Sequence, residues 1–158
     1  MFGIDISKVA AEAAAKRKNS ITFAAASVFH LPVADSSCDM LVTMFAPYCG
    51  GEYPRVLKKG GIMIMAIPSE NHLWELKQAI YDTPYKNSVK PYELEGFSLE
   101  DKVRITYDMQ IDDHEDIMSL FSMTPYFYRT GKEQQERLAK ICSICTKADF
   151  ELLIYRKI

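Results

Sequence analysis

The sequence predicts an α/β fold: a mostly parallel sheet with helices on both faces and an antiparallel strand at its C-terminal end. Three observations lead there. Apolar runs and helix-forming stretches alternate from Phe2 to Tyr81, the pattern of strands joined by helical crossovers, each expected to be right-handed. The run from Met40 to Phe45 is continuous rather than alternating, as a strand buried on both faces is. Phe150 to Arg156 alternates in polarity, the period of a closing strand.

The elements follow in order. Phe2 to Ile4 is a short apolar run ending in Asp5. Ser7 is a helix N-cap, and Lys8 to Lys18 is rich in good helix formers, with Asn19 as the stop. Ile21 to Ala26 is the second strand. Leu31 to Asp39 is a loop marked by Pro32, Asp35, Ser36 and Ser37. Met40 to Phe45 is the third strand. Glu52 to Leu57 is a short helix with Pro54 in its first turn. Gly60-Gly61 is a turn, Ile62 to Ile67 a fourth buried strand closed by Pro68, and Asn71 to Tyr81 a helix. Thr83 to Phe97 has two prolines and no period, so it is a surface loop. Beyond it the pattern predicts a strand at Val103 to Met109, a helix at Asp112 to Phe121 capped by Asp112 or Asp113, and a helix at Gly131 to Lys140. The final strand then begins as early as Ile141.

With 158 residues the chain is one domain's worth. Hydrophobic residues at 48% and charged residues at 25% fit a globular protein and exclude a disordered or collagen-like one. A formal net charge of -2 and a pI near 5.9 argue against a domain that grips nucleic acid by charge alone. No apolar run approaches the ~20 residues of a membrane helix. The start lacks a secretory pattern. The four cysteines, Cys38, Cys49, Cys142 and Cys145, do not form a disulfide framework. Cys142-x-x-Cys145 lacks the second ligand pair of a zinc site. Unpaired structural thiols and a cytoplasmic location are expected, with no metal.

Three clusters carry chemistry. Asp5 sits where a strand gives way to a helix, the point at which doubly wound folds place an acidic acceptor for a ribose hydroxyl pair; the alternative is an Asp that only caps the helix. Ala26-Ser27, Leu31-Pro32 and Asp35-x-Ser37-x-Asp39 span a strand end and the following loop. There a polar group can meet an adenine amino group while Val28 or Leu31 covers the ring; the alternative is an ordinary loop. The third is Glu52 to Gly61, EYPRVLKKGG, ahead of an apolar strand.

Here a resemblance becomes specific. The third cluster resembles the RVLKPGG element of class I S-adenosylmethionine-dependent methyltransferases, with Lys59 in place of the proline. Gly3-Ile4-Asp5-Ile6-Ser7 resembles their second-strand acidic motif, and Leu31 to Asp39 their LPF…D.SFD run, in the family's order and spacing. Ser27 stands where many members carry Asp. His72-Leu73-x-Glu75-Leu76-Lys77, Leu94-Glu95-Gly96-Phe97, Met123-Thr124-Pro125-Tyr126, Phe45-Ala46-Pro47 and Ala148-Asp149-Phe150 look like the bacterial large-subunit ribosomal RNA guanine-N1 methyltransferases, and this covers nearly the whole chain.

The resemblance implies a partial Rossmann-like class I methyltransferase sheet, with S-adenosylmethionine as cofactor and ribosomal RNA as partner. It implies cofactor contacts at Asp5, Ile6, Ser27, Val28 and Leu31. Substrate contacts fall at Phe45, Ala46, Pro47, Tyr48, His72 and Trp74, with a flipped guanine against the tetrapeptide. That tetrapeptide holds no carboxylate, so it names no general base. Measured against the family, 1–158 is an incomplete domain without the first strand, the glycine-rich turn and the N-terminal zinc module. It is therefore expected to be inactive alone, to bind cofactor more weakly than micromolar, and to form a homodimer through 1–6 or 40–48. A small-molecule methyltransferase and a non-catalytic remnant are the competing readings. Of the other candidates, His30, His72 and His114 show no metal spacing. Asp112, Asp113, Glu115 and Asp116 fit a solvated helix start, Met63, Met65, Tyr81, Trp74 and Phe97 fit the core, and Lys58, Lys59, Lys86, Lys90, Lys102 and Arg104 are solvated or touch phosphate.

Overall fold

The computed structural model describes residues 1–17, 20–89 and 92–158, so the expected stop at Asn19, the last helical position at Lys18, and Lys90 lie outside the described residues. The chain divides into two compact units. One is Met1–Ala66 with Tyr92–Lys102 and Leu153–Ile158, the other Ile67–Pro91 with Val103–Leu152.

In the first unit, β1 (Phe2–Asp5) leads into α1 (Lys8–Arg17) and β2 (Thr22–Ala25). Ser7 caps α1, its Oγ accepting from Ala10 N at 3.3 Å. β1 and β2 pair in parallel, Phe2 with Thr22 through Asp5 with Ala25. Gly3 is required by that pairing, because a Cβ there would run into the Phe23 ring. Next come β3 (Cys38–Met44), α2 (Glu52–Val56) and β4 (Leu57–Pro68). β3 and β4 are parallel. Tyr53, Val56, Leu57, Met63 and Tyr155 are buried in this unit.

In the second unit, α3 (Trp74–Ile80), α4 (His114–Ser122) and α5 (Lys132–Leu138) pack around Leu73, Leu76, Ile80, Ile117, Phe121, Tyr126 and Leu138. Asp113 caps α4, its carboxylate accepting from Glu115 N and Asp116 N, which satisfies two of the orphan donors of a helix start.

The remaining strands are β5 (Phe97–Ile111) and β6 (Ile144–Lys157). The strand order is β1-β2 in one sheet and β3-β4-β6-β5 in the other. Lys157 reaches the carbonyls of Pro54 and Leu57, while Ser69 N donates to Asp149 O, so β6 runs against β4. Ile158 N donates to Gly96 O and Arg104 pairs with Asp149, so β6 also runs against β5. The expected antiparallel C-terminal strand is present. In these labels the resemblance implies the order β2, β1, a missing strand, β3, β4, β6, β5, and the observed neighbours within each sheet agree.

Several expectations need correction. Gly60-Gly61 is not a turn between elements. It lies inside β4, where the register jumps from Cys38↔Leu57 to Met40↔Ile62. That irregularity needs a residue at φ +74, which Gly60 supplies. β3 is not buried on both faces: Met40, Val42 and Met44 are 56, 57 and 55% exposed. β5 and β6 are longer than their apolar patterns suggest, because salt links carry the pairing through polar positions.

Candidate functional site

The C-terminal ends of β1 and β2 and the loop after β2 hold the residues expected at the cofactor. Asp5 closes β1, exposed, its Oδ1 accepting from Ser7 N at 2.7 Å and its carbonyl accepting from Ala26 N at 2.9 Å. It therefore helps to start α1, as the capping alternative requires. A carboxylate has roughly four acceptor sites, so one N–H leaves capacity for a hydroxyl pair. Ile6 is exposed beside it.

Ser27 is less available than its position suggested. Its Oγ accepts from Phe29 N at 3.2 Å and its carbonyl from His30 N at 3.0 Å. Val28 is half-buried, and Leu31 is buried in the protein, so of the two only Val28 keeps appreciable exposed surface.

What shapes this loop comes from α2 and was not assigned a role from the sequence. Glu52 Oε2 accepts from Leu31 N at 2.6 Å. Arg55 donates to Leu31 O at 3.1 Å, Val33 O at 2.7 Å and Asp35 Oδ1 at 2.6 Å. It also pairs with Glu52 through 2.8 and 2.7 Å bonds. Ser36 N and Ser37 N donate to the carbonyls of Arg55 and Val56. One helical turn thus fixes the backbone of 31–37, and charge-assisted bonds of this kind are the strong ones. Arg55 holds the Glu52 carboxyl down to about 2. The signal in the sequence was the Glu-x-x-Arg spacing, which puts both side chains on one face of a helix.

The turn after β3 has strained backbone. Phe45 sits at φ +53, unusual for a bulky residue, is 49% exposed, and donates its N–H to Ala66 O at 3.0 Å. Ala46 is half-buried and Pro47 exposed. The Pro47 carbonyl accepts from the Tyr53 hydroxyl at 3.0 Å, and the Tyr48 ring meets the Tyr53 ring edge-on at 5.6 Å. Burial pushes the Tyr53 hydroxyl up, so it remains a donor at neutral pH. Tyr53 thus shapes this turn from beneath, a second contribution of α2 that sequence reasoning missed.

His72 and Trp74 lie in the second unit. His72 Nδ1 accepts from Asp149 N at 3.2 Å, which puts the proton of the neutral ring on Nε2; burial lowers its pKa. In that tautomer His72 is a donor rather than a base. Its ring meets Phe150 edge-on. Trp74 opens α3, half-buried.

The basic candidates are mostly engaged. Lys58 pairs with Asp39 at 2.6 Å, Lys86 lies 3.9 Å from Glu70, Lys102 sits over the Tyr92 ring, and Arg104 grips the buried Asp149 through two 2.9 Å bonds. The four cysteines are unpaired. Among the described residues no helix is long and apolar enough to cross a membrane.

Residues 1–65 match the family described as "Methyltransferase domain". A structure from Bacillus halodurans C-125, titled as that of a "putative methyltransferase", superimposes with a TM-score of 0.59 at 14% identity, covering 99% of this chain and 82% of that one. The fold is that of class I S-adenosylmethionine-dependent methyltransferases, and the match over residues 1–65 supports S-adenosylmethionine as cofactor. The Bacillus subtilis (strain 168) protein named "Putative 23S rRNA (guanine-N(1)-)-methyltransferase YxjB" is 29% identical over 160 residues, 98% of this chain and 56% of that protein. The Streptomyces fradiae "23S rRNA (guanine(748)-N(1))-methyltransferase" is 35% identical over 78 residues, 49% of this chain and 28% of that protein. The chain spans about half the length of the first and about a quarter of the second.

Proposed function

We propose that the protein to which these residues belong methylates N1 of a guanine in large-subunit ribosomal RNA, and that Asp5, Val28 and the turn Phe45–Tyr48 lie at its reacting centre. S-adenosylmethionine would supply the methyl group from its sulfonium, leaving a thioether while guanine N1 gives up its proton to water, in an in-line displacement that depends on alignment. Asp5 accepts from the ribose hydroxyls. The loop 31–37, locked by Glu52 and Arg55, borders the adenine. Phe45 and Tyr48 present aromatic faces to the base, and Tyr53 holds their backbone still. The observation that carries the reading is Asp5 at the C-terminal end of a parallel strand, directly before a capped helix, the place where open α/β sheets bind nucleotides. Support for the RNA substrate is the likeness to a named rRNA methyltransferase along almost the whole chain.

Residues 1–158 hold no glycine-rich strand-to-helix turn, the feature that lets backbone approach the cofactor closely. By itself the chain therefore binds cofactor more weakly than micromolar and does not turn over. The exposed apolar residues of β1 and β3, Phe2, Met40, Val42 and Met44, favour pairing with a second copy.

Mass spectrometry of large-subunit ribosomal RNA from cells with and without the encoding gene tests the activity. Loss of one N1-methylguanine on deletion is expected; an unchanged modification pattern refutes it.

A further inference from the structure

Lys77 is fully buried, 0% exposed, on α3. Its ammonium donates to Tyr85 O at 3.0 Å and to Asn87 Oδ1 at 2.6 Å. It sits 4.6 Å from the centroid of the Tyr85 ring and 5.1 Å from that of Tyr126. Burial lowers its pKa, and among the described residues no carboxylate opposes this. Buried charges are ordinarily paired; this one is held by carbonyl oxygens and by the negative faces of two tyrosine rings.

Tyr126 is itself buried, and its hydroxyl lies 3.4 Å from Asn87 Oδ1, so it is fully used by the cage. Tyr85 is not. It is 47% exposed, although its ring is fixed by the cation and by Tyr81, 5.5 Å away at a tilt of 41°. Arg129 is exposed and acts electrostatically on Tyr81, the ring that packs against Tyr85. A half-exposed tyrosine, immobilised and backed by an uncompensated positive charge, is what an electron-rich flat ring stacks on. Guanine and adenine are such rings.

We infer that Tyr85, backed by Lys77, is a stacking platform for a purine nucleotide of the RNA substrate. The inference rests on the proposed action on ribosomal RNA and adds a contact for the strand apart from the Phe45–Tyr48 turn. With a formal net charge of -2, stacking rather than bulk charge carries the affinity, so the salt dependence is shallow compared with a protein that binds through phosphates.

The test is fluorescence anisotropy with the 158-residue chain and a fluorescein-labelled, purine-rich single-stranded RNA dodecamer, with a uridine dodecamer for comparison. Tyr85→Ala weakens purine binding by about 5- to 150-fold, while Tyr85→Phe stays near wild type. Lys77→Met weakens it several-fold, and if that variant fails to fold, Tyr85→Ala and a spectroscopic variant decide. In Tyr85→Trp combined with Trp74→Phe, which leaves the introduced indole as the sole tryptophan, RNA quenches the emission. RNA binding by wild type that Tyr85→Ala leaves unchanged overturns the platform and leaves the rRNA reading standing. So does unquenched emission from a variant that binds. Absence of any binding at ~100 µM, the weak end of non-specific affinities, also overturns it, and the rRNA reading then stands or falls on the modification pattern alone.

Discussion

Removing the Tyr53 hydroxyl gives the sharpest test of how α2 supports the turn after β3. Tyr53 is 2% exposed; its hydroxyl donates to Pro47 O at 3.0 Å and lies 3.5 Å from Thr43 Oγ1. Tyr53→Phe keeps the ring and its edge-on contact with Tyr48 but deletes one good hydrogen bond. The net loss is ~0.5–1.5 kcal/mol, because the Pro47 carbonyl regains water where the turn is exposed. Tyr53→Ala removes the ring as well and costs ~3–5 kcal/mol, the range for large aromatic truncations. For a chain of this size each kcal/mol moves the melting temperature by ~2–4 °C. Differential scanning calorimetry therefore shows a drop of ~1–6 °C for Tyr53→Phe and a larger one for Tyr53→Ala. Tyr128→Phe, at an exposed position, serves as the control and leaves the melt unchanged. Hydrogen exchange at the Phe45 amide, bonded to Ala66 O, quickens in Tyr53→Phe. A melt indistinguishable from wild type, with unchanged exchange at Phe45, would show that the turn does not depend on the hydroxyl.

Other outcomes follow from the same geometry. Phe45 lies at φ +53, so Phe45→Gly is more stable than Phe45→Ala in urea titration, reversing the usual ~0.5–1 kcal/mol advantage of alanine; alanine ranking first contradicts the left-handed backbone. Glu52 titrates at about 2 when folded against 4.5 ordinarily. Its contribution is therefore full above that ordinary value and is lost as pH falls toward the folded one; Glu52→Gln flattens this part of the acid limb, and a limb of unchanged shape counts against the clamp. His72, held neutral by burial, has a pKa below its ordinary 6.5, so stability falls as the medium is acidified through that region. A normal or raised value by NMR titration would count against the Nδ1 acceptor role. For the second copy at β3, light scattering should show a dimer that Val42→Lys dissociates, and a clean monomer at high concentration removes that proposal.

The parallel pairing of β1 and β2, the capped start of α1 and the placement of Asp5 were legible because local signals coincide there: a short apolar run, an acid at its end and Ser7 at the cap. The antiparallel β6 was legible from alternation, but its length was not, since Arg104, Lys147 and Arg156 make polar positions part of the ladder through partners far along the chain. Gly60-Gly61 read as a turn because glycine pairs usually mark one; the register jump that needs Gly60 depends on β3 and has no local signature. The Glu52 and Arg55 network was hidden for the same reason. Their helical spacing is visible, whereas the carbonyls of Leu31 and Val33 that they serve are set by the fold. Nothing in the sequence around Lys77 signals its tyrosine cage, because Tyr85 and Tyr126 are brought to it only by packing.

We propose that the end of β1 and the loop after β2 bind the adenosyl part of S-adenosylmethionine. Amide correlation spectra of the isotope-labelled chain, titrated with S-adenosylhomocysteine, test it even when binding is weak. Shifts are expected to concentrate at Asp5, Ile6 and Ser7 and from Ala26 to Leu31, and to be abolished by Asp5→Ala. Shifts spread evenly over the chain, or confined to Ile67–Pro91 and Val103–Leu152, would contradict it.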